Sequence, residues 1–185
     1  MILEAGEGDL FKYINDKITN NNGLTNVLKT MNYYVTVIDD RKAVVDKFVG
    51  GDDVVLSGFA EYIDKKGLVE NSFAVVCTPS HKFDYKVVNK VIEKQIKLKY
   101  LGMLCSKEKL KDFIGKTYEK FGKDVDLTNF YSPVGIDLGG GGSPEEIAIS
   151  ITSEILLISN GKKGPKHMRE SINNDKYHYW KNKQR

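Results

Sequence analysis

The chain has 185 residues, a length typical of one domain, and its composition carries no signature of disorder. The net charge of +3 is unevenly distributed, because the segment after Gly161 carries +6 and the remainder carries −3. A mildly acidic body argues against nucleic-acid binding. The basic end predicts either a solvated tail or a contact with an anionic partner.

The start of the sequence, Met-Ile-Leu-Glu, lacks the basic residues and apolar run of a secretory signal. The longest apolar stretch, 147–158, is interrupted by Ser, Thr and Glu and is too short to span a bilayer. Cys77 and Cys105 cannot form a disulfide framework and lack zinc-site spacing. We therefore expect a cytoplasmic protein with no membrane segment.

The first 23 residues have the least regular pattern. Residues 1–8 can form a strand that ends in a phosphate loop with Gly6 and Gly8, and a helix is predicted over 24–31. A dinucleotide-binding unit places its acidic ribose ligand roughly 20 residues after the glycines. Asp39 instead follows Gly6 by 33 residues. We therefore expect an irregular or divergent first strand–helix unit.

Short apolar runs then alternate with segments of helical period. Nearly continuous apolar runs are typical of strands buried on both faces, and hence of a parallel sheet. The pattern predicts an α/β, doubly wound, Rossmann-like, mostly parallel sheet with helices on both faces. It assigns one domain to residues 1–161 and a basic extension to 162–185. The runs are 34–38, 53–56, 73–77 and 100–104, and the helical segments include 87–92, 110–121 and 147–158.

Ligands of such sheets bind beyond the carboxyl ends of the strands. Asp39, Asp40 and Arg41 follow the run at 34–38. A carboxylate there can accept hydrogen bonds from a ribose, and Arg41 can hold a phosphate. A charged turn that caps the next helix is an equally good interpretation.

Thr78, His81 and Asp84 follow the run at 73–77. Ser80 can cap a helix whose first turn holds His81, and Asp84 then shares a helix face with that histidine. A carboxylate can fix the tautomer of a histidine and raise its pKa. We favour a functional role for this group over a structural one.

Ser106, Lys107 and Lys109 follow the run at 100–104. Ser106 is a candidate N-cap, and lysines at a helix N-terminus oppose the helix dipole unless an anion binds there. This local conflict predicts a phosphate site. A solvated helix start is an equal alternative. We interpret the two cysteines that end apolar runs, Cys77 and Cys105, as core residues.

The glycine loop 139–142 precedes a strong helix start, in which Ser143, Pro144 and Glu146 fit N-cap, N1 and N3 of a capping box. Free backbone N–H groups in the loop can bind an anion. The acidic first turn competes with a phosphate for the same helix N-terminus. No Walker lysine follows, which excludes a P-loop.

Taken in order, these segments resemble the C-terminal domain of the XdhC/CoxI family, accessory factors of molybdenum hydroxylases such as xanthine dehydrogenase. The similarity extends from about Leu24 to Ile158. The loop Ala5–Gly8 is the nearest counterpart of the family's Gly-Ala-Gly-His motif, and Cys105 stands where the family usually has glycine. The segments that carry the resemblance are 35–41, Thr78-x-x-His81-x-x-Asp84, 100–109, 133–139 and 143–151 with Glu154.

The resemblance implies a Rossmann-like domain, often dimeric, that binds the molybdenum cofactor. It further implies partnership with a cysteine desulfurase, which sulfurates the cofactor, and with the apo-subunit of the hydroxylase. The family's separate N-terminal domain has no counterpart in this sequence.

We therefore expect a maturation factor, without turnover of its own, that binds molybdopterin or a nucleotide. Two alternatives remain open: an NAD(P)-dependent oxidoreductase that binds a dinucleotide, and a ligand-free protein-binding module. The candidate cofactor-binding residues are Gly6, Gly8, Asp39, Asp40, Arg41, Thr78, His81, Asp84, Ser106, Lys107, Lys109, Asp137, Gly139 and Gly140.

Overall fold

The computed structural model describes residues 2–4, 23–78, 81–139, 143–162 and 164. Within these residues, six strands form one sheet in the order β3-β2-β1-β4-β5-β6, and every neighbouring pair is parallel. This confirms the doubly wound, Rossmann-type fold. The strands are β1 (Ile2–Glu4), β2 (Thr36–Asp39), β3 (Asp53–Leu56), β4 (Phe73–Cys77), β5 (Tyr100–Met103) and β6 (Phe130–Tyr131).

The helices alternate with the strands along the chain, as a parallel sheet requires. They are α1 (Gly23–Thr30), α2 (Lys42–Val45), α3 (Phe59–Lys65), α4 (His81–Glu93), α5 (Lys107–Phe121) and α6 (Pro144–Ser159).

The beginning of the chain supplies the central strand. Ile2 and Leu3 pair with β2 on one side, and Ile2–Glu4 pair with β4 on the other. The strand predicted within residues 1–8 is therefore present and completes the sheet from the same chain. The proposed phosphate loop with Gly6 and Gly8 lies outside the described residues.

Side chains of alternating strand residues feed two apolar cores, one on each face of the sheet. On the first face, α3, α4 and α5 pack over residues such as Ile38, Val76 and Met103. On the second face, α1 and α6 pack over Val37, Val75 and Tyr100. Burial on both faces explains the continuous apolar runs in the sequence.

The predicted bounds of two strands were wrong by one or two residues. β2 begins at Thr36 rather than Tyr34, because the Val35 N–H donates to the Asp52 carboxylate at 2.7 Å instead of to a strand. It extends to Asp39, which pairs with Leu56. β5 ends at Met103, one residue before the predicted end. The short strand β6 and helix α3 had no counterpart among the predicted elements.

In the part of the chain that the structure describes, no helix combines the length and apolar character needed to cross a membrane.

Candidate functional site at the carboxyl edge of the sheet

The strand order places a topological switch point between β1 and β4. From β1 the chain continues to β2 and β3 on one side, and from β4 it continues to β5 and β6 on the other. In open α/β sheets the ligand crevice lies outside the carboxyl ends of the strands at this point. The candidate functional site is therefore the carboxyl edge of β1, β4 and β5, together with the helix N-termini that face it.

Asp39 and Arg41 at the end of β2 bind one another. The Arg41 Nε donates to Asp39 Oδ1 at 3.0 Å, and its terminal nitrogen donates to Oδ2 at 2.9 Å. The Arg41 backbone N–H also donates to Oδ1, at 2.8 Å. Asp39 is fully buried, so a ribose can reach its carboxylate only if Arg41 moves. Asp40 is exposed beside this pair.

Asp84 is buried next to Thr78, which directly follows β4. Its Oδ1 accepts a hydrogen bond from the Thr78 backbone N–H at 2.7 Å. Burial raises the pKa of Asp84 to about 6, against the opposing effects of hydrogen bonds from the Thr78 backbone and side chain and of the Lys109 charge. Asp84 therefore anchors the backbone at Thr78. His81 begins α4, as predicted, and its side chain lies outside what the structure describes.

Cys105 follows β5, and its thiol lies 3.0 Å from the Ser132 hydroxyl. Because Ser132 donates its proton to the Met103 carbonyl at 2.9 Å, the thiol is the donor to Ser132. Burial raises the pKa of the Cys105 thiol and the Asp84 charge raises it further, against the opposing effect of the Lys109 charge. The net shift is upward, so this cysteine is a protonated thiol and not an activated nucleophile.

The N-terminus of α5 lies next to Cys105. Ser106 is its N-cap and accepts a hydrogen bond from the Lys109 N–H at 3.4 Å, which confirms the predicted cap. Lys107 and Lys109 are exposed in the first turn, and the Lys109 charge acts on both Asp84 and Cys105. Two cations and a helix N-terminus thus flank the end of β5.

A narrow apolar cleft opens on the second face at the same edge. Cys77 ends β4, Leu104 follows β5, and Leu24 and Ile147 lie in the first turns of α1 and α6. The cleft has a volume of about 10 Å³, which is room for about one water molecule, so a flat ring can enter it only if the lining side chains move apart. The cleft is lined by Leu24, Val75, Cys77, Leu104, Ile147, Ala148 and Ile151.

The start of α6 has the predicted capping box. The Ser143 hydroxyl accepts from the Glu146 N–H at 3.2 Å, and the Glu146 carboxylate accepts from the Ser143 N–H at 3.1 Å. Before it, the Asp137 carboxylate accepts from the Gly139 N–H at 2.8 Å, which closes a local turn. Gly140 lies outside the described residues. These contacts give Asp137 and Ser143 clear structural roles.

Residues 132–139 attach the edge of the sheet to α6. Glu154 of α6 accepts hydrogen bonds from the Tyr100 hydroxyl at 2.5 Å and the Gly135 N–H at 2.8 Å. The Ser150 hydroxyl donates to the Ile136 carbonyl at 2.6 Å. A Cβ on Gly135, whose φ is +101°, would overlap the Ser150 side-chain oxygen. This segment of the resemblance therefore serves close packing.

The sequence-predicted residues form separate groups in space. The strand order puts β1 between Asp39–Arg41 and Thr78–Asp84, and it puts Asp84 near Cys105 and Lys109. Within the described residues, no three His, Cys, Asp or Glu side chains are grouped as a metal site would require. The apolar cleft and the Cys105–Ser132 contact were not predicted, because each joins residues far apart in the sequence.

Comparisons with known proteins agree with this geometry. Residues 19–155 match the family described as the XdhC Rossmann domain. A relative from Bacillus subtilis, named as a probable subunit of xanthine dehydrogenase, is 27% identical over 135 residues, which are 72% of this chain and 38% of that protein. The "Uncharacterized protein YqeB" of Escherichia coli is 29% identical over 113 residues, which are 61% of this chain and 20% of that protein.

A crystal structure described as a xanthine dehydrogenase from Bacillus halodurans superposes with a TM-score of 0.67. It covers 90% of this chain and 44% of that one, with 23% sequence identity, and so supports the fold. The chain spans about a fifth to two fifths of the length of the curated relatives it matches.

Proposed function

The chain belongs to the XdhC family, and from that premise we propose that it is a maturation factor for a molybdenum hydroxylase of the xanthine dehydrogenase type. It binds the molybdenum cofactor, or a related nucleotide, at the carboxyl edge of the sheet and acts in the cytoplasm without turnover of its own. The observation that carries the proposal is the switch point between β1 and β4, where an apolar cleft lies beside an exposed pair of lysines.

The donor set at this edge fits the organic part of such a cofactor. The apolar side chains around the cleft would contact a flat heterocycle once they moved apart, and the cations Lys107 and Lys109 suit a phosphate. The described residues offer no cluster that would bind the metal itself. We propose that the chain holds the cofactor through its ring and phosphate and leaves the metal, which supplies the redox chemistry of the hydroxylase, accessible to partners.

The environment of the two cysteines supports a role in which a partner protein, and not this chain, carries the sulfur. Cys105 is held as a protonated donor to Ser132, and Cys77 is buried at the end of β4. A sulfur carrier needs an accessible thiolate. We therefore propose that a cysteine desulfurase supplies the sulfur and that this chain, as a homodimer, presents the cofactor to it and then to the apo-subunit of the hydroxylase.

The oxidoreductase alternative depends on Asp39 as a ribose ligand. The buried Asp39–Arg41 ion pair occupies both carboxylate oxygens and so does not favour it. The alternative of a ligand-free protein-binding module predicts that neither NAD(P)H nor molybdopterin changes the melting temperature of the protein. A shift with NAD(P)H and none with molybdopterin would favour the oxidoreductase.

Calorimetry with isolated molybdopterin tests the lysine pair. We expect Lys107→Glu to weaken binding by about tenfold or more, because a charge-assisted contact becomes a repulsion. Lys111→Glu, an exposed lysine one turn further along α5, is the matched control and should bind normally. Equal affinities for both variants, with unchanged melting temperatures, would remove Lys107 from the binding site.

A further inference from the structure

A second cavity lies at the opposite, amino end of the sheet, on its second face. It has a volume of about 130 Å³ and does not belong to the candidate functional site. The side chains of Leu28, Val35, Val75 and Ile155 that line it are at most 4% exposed. Its remaining lining residues are Tyr33, Tyr34, Ser72 and Phe73.

The mouth of this cavity is aromatic, and one carboxylate, that of Asp53, lies at its rim. Tyr33 packs edge-on against Phe73, with 5.9 Å between ring centroids. Tyr34 is 67% exposed, and its hydroxyl donates to the Asp53 carboxylate at 3.0 Å. An apolar cavity of roughly 150 Å³ is large enough to bind benzene. This cavity is therefore suited to one aromatic ring.

The chain leaves α6 beside this cavity. Ile155 lines it, and the helix ends four residues later in a Schellman motif, with Gly161 at φ +67°. In that motif the Lys162 N–H donates to the Leu157 carbonyl at 2.8 Å, and the Gly161 N–H donates to the Ile158 carbonyl at 3.0 Å. At 1.5 Å per residue, the turn at Gly161 lies about 9 Å along the helix from Ile155.

The sequence beyond this turn contains aromatic side chains of the kind that the cavity can hold. Residues 165–185 carry a net charge of +4 and contain the aromatic group Tyr177-His-Tyr-Trp180. Tyr177 follows Gly164 by thirteen positions, and a chain of that length extends to roughly 45 Å. The aromatic group can therefore reach the cavity from the same chain.

We propose that Tyr177–Trp180 docks in this amino-end cavity in cis, with one aromatic ring between Leu28 and Ile155 and the flanking lysines near Asp53. Burial of an aromatic ring, together with attraction between the basic segment and a carboxylate at the rim, stabilises the docked state. The assignment is independent of the ligand proposed for the carboxyl edge.

Trp180 is the chain's single tryptophan, so its fluorescence reports on this segment alone. In the full chain we expect an emission maximum at shorter wavelength than in urea, and weaker quenching by acrylamide. Ser72→Tyr, which fills the mouth of the cavity, should shift the emission to longer wavelength and restore quenching. Ser57→Tyr, at the carboxyl end of β3, should leave the emission unchanged. Either variant is compared only if its circular dichroism is that of the unchanged chain.

Methyl NMR provides a test without a substitution in the cavity. Replacing Tyr177, Tyr179 and Trp180 together by alanine should move the Leu28, Val75 and Ile155 resonances, because ring-current shifts are lost. The Val88 and Ile114 methyls on the first face should stay in place. Unmoved cavity methyls, free quenching of Trp180 in the unchanged chain, or protection that develops only as protein concentration rises would each overturn docking in cis.

Discussion

The two faces of the sheet are built differently. The first face joins α3, α4 and α5 to the sheet through apolar contacts, and its ion pairs, such as Lys65–Glu61, lie on the surface. The second face is held by positions that tolerate little change. There the buried Tyr100 donates its hydroxyl proton to the Glu154 carboxylate, and Gly102 leaves no space for a Cβ beside the Tyr100 ring.

The two faces should therefore differ in how well they tolerate the loss of a single contact. An apolar helix face has many contacts of similar strength, so the loss of one is partly compensated. A buried hydroxyl with a single acceptor has no substitute within the protein. Both cavities, at the carboxyl and amino ends, also lie on the second face. We therefore expect substitutions on the second face to have the larger effects.

The largest effect is expected for Glu154→Ala. It leaves the Tyr100 hydroxyl and the Gly135 N–H without their acceptor, and Tyr100 is fully buried. Two hydrogen-bond donors without an acceptor should lower the free energy of unfolding by about 2–5 kcal/mol. Urea unfolding measures this change. The control is Glu119→Ala on the exposed side of α5, and a similar loss in both would refute the contrast between faces.

Two glycine substitutions should then change the free energy of unfolding in opposite directions. Gly135→Ala places a Cβ against the Ser150 oxygen at a φ of +101°, so we expect a loss of about 2–4 kcal/mol. Gly115→Ala, in open space on α5, should add about 0.5–1 kcal/mol through helix propensity. Thermal unfolding of both variants decides the point, and a neutral Gly135→Ala would contradict the close approach of the 132–139 segment to α6.

Asp84 is a buried charged group on the otherwise apolar first face. Because burial raises its pKa from 3.8 to about 6, the folded state binds a proton more tightly than the unfolded state. Proton binding to Asp84 therefore contributes roughly 2–3 kcal/mol to the free energy of unfolding. This stabilisation is complete below about pH 4 and is lost as the pH rises through 6. Unfolding free energies between pH 5 and 7.5 should fall with pH in the unchanged chain. The decline should be smaller in Asp84→Asn, which keeps an acceptor for Thr78, and equal slopes would exclude Asp84 as its source.

The smallest effect is expected on the surface of the first face. Lys65 pairs with Glu61 at 2.6 Å, and both side chains are more than half exposed. Lys65→Ala should therefore change stability only slightly, and less in high salt. Urea unfolding at two salt concentrations measures the change, and a loss as large as that of Gly135→Ala would mean that the first face is no more tolerant than the second.

Local chemistry in the sequence was sufficient for much of the fold. Continuous apolar runs predicted β3 and β4 with correct bounds, since burial on both faces requires apolar residues at every position. Capping chemistry predicted the starts of α5 at Ser106 and α6 at Ser143, because these side chains bond to backbone groups three residues away. β6 was missed because two residues carry no period.

The candidate site was predicted less completely. Thr78 and Asp84 were grouped correctly, but spacing could not show that Asp84 would be buried beneath Thr78. The sequence placed Asp39 and Arg41 at the end of a strand and left their partners open. The structure pairs them with each other, because a buried carboxylate is stable only when its charge is matched.

What the sequence determined by itself is the alternation of buried strands and capped helices, because those signals act over a few residues. Only the tertiary structure decided that Ile2–Glu4 is the central strand, that Cys105 donates to Ser132, and that Glu154 joins Tyr100 to Gly135. Each of these contacts joins segments distant in the chain. Their geometry depends on how the whole sheet and its two helix layers pack together.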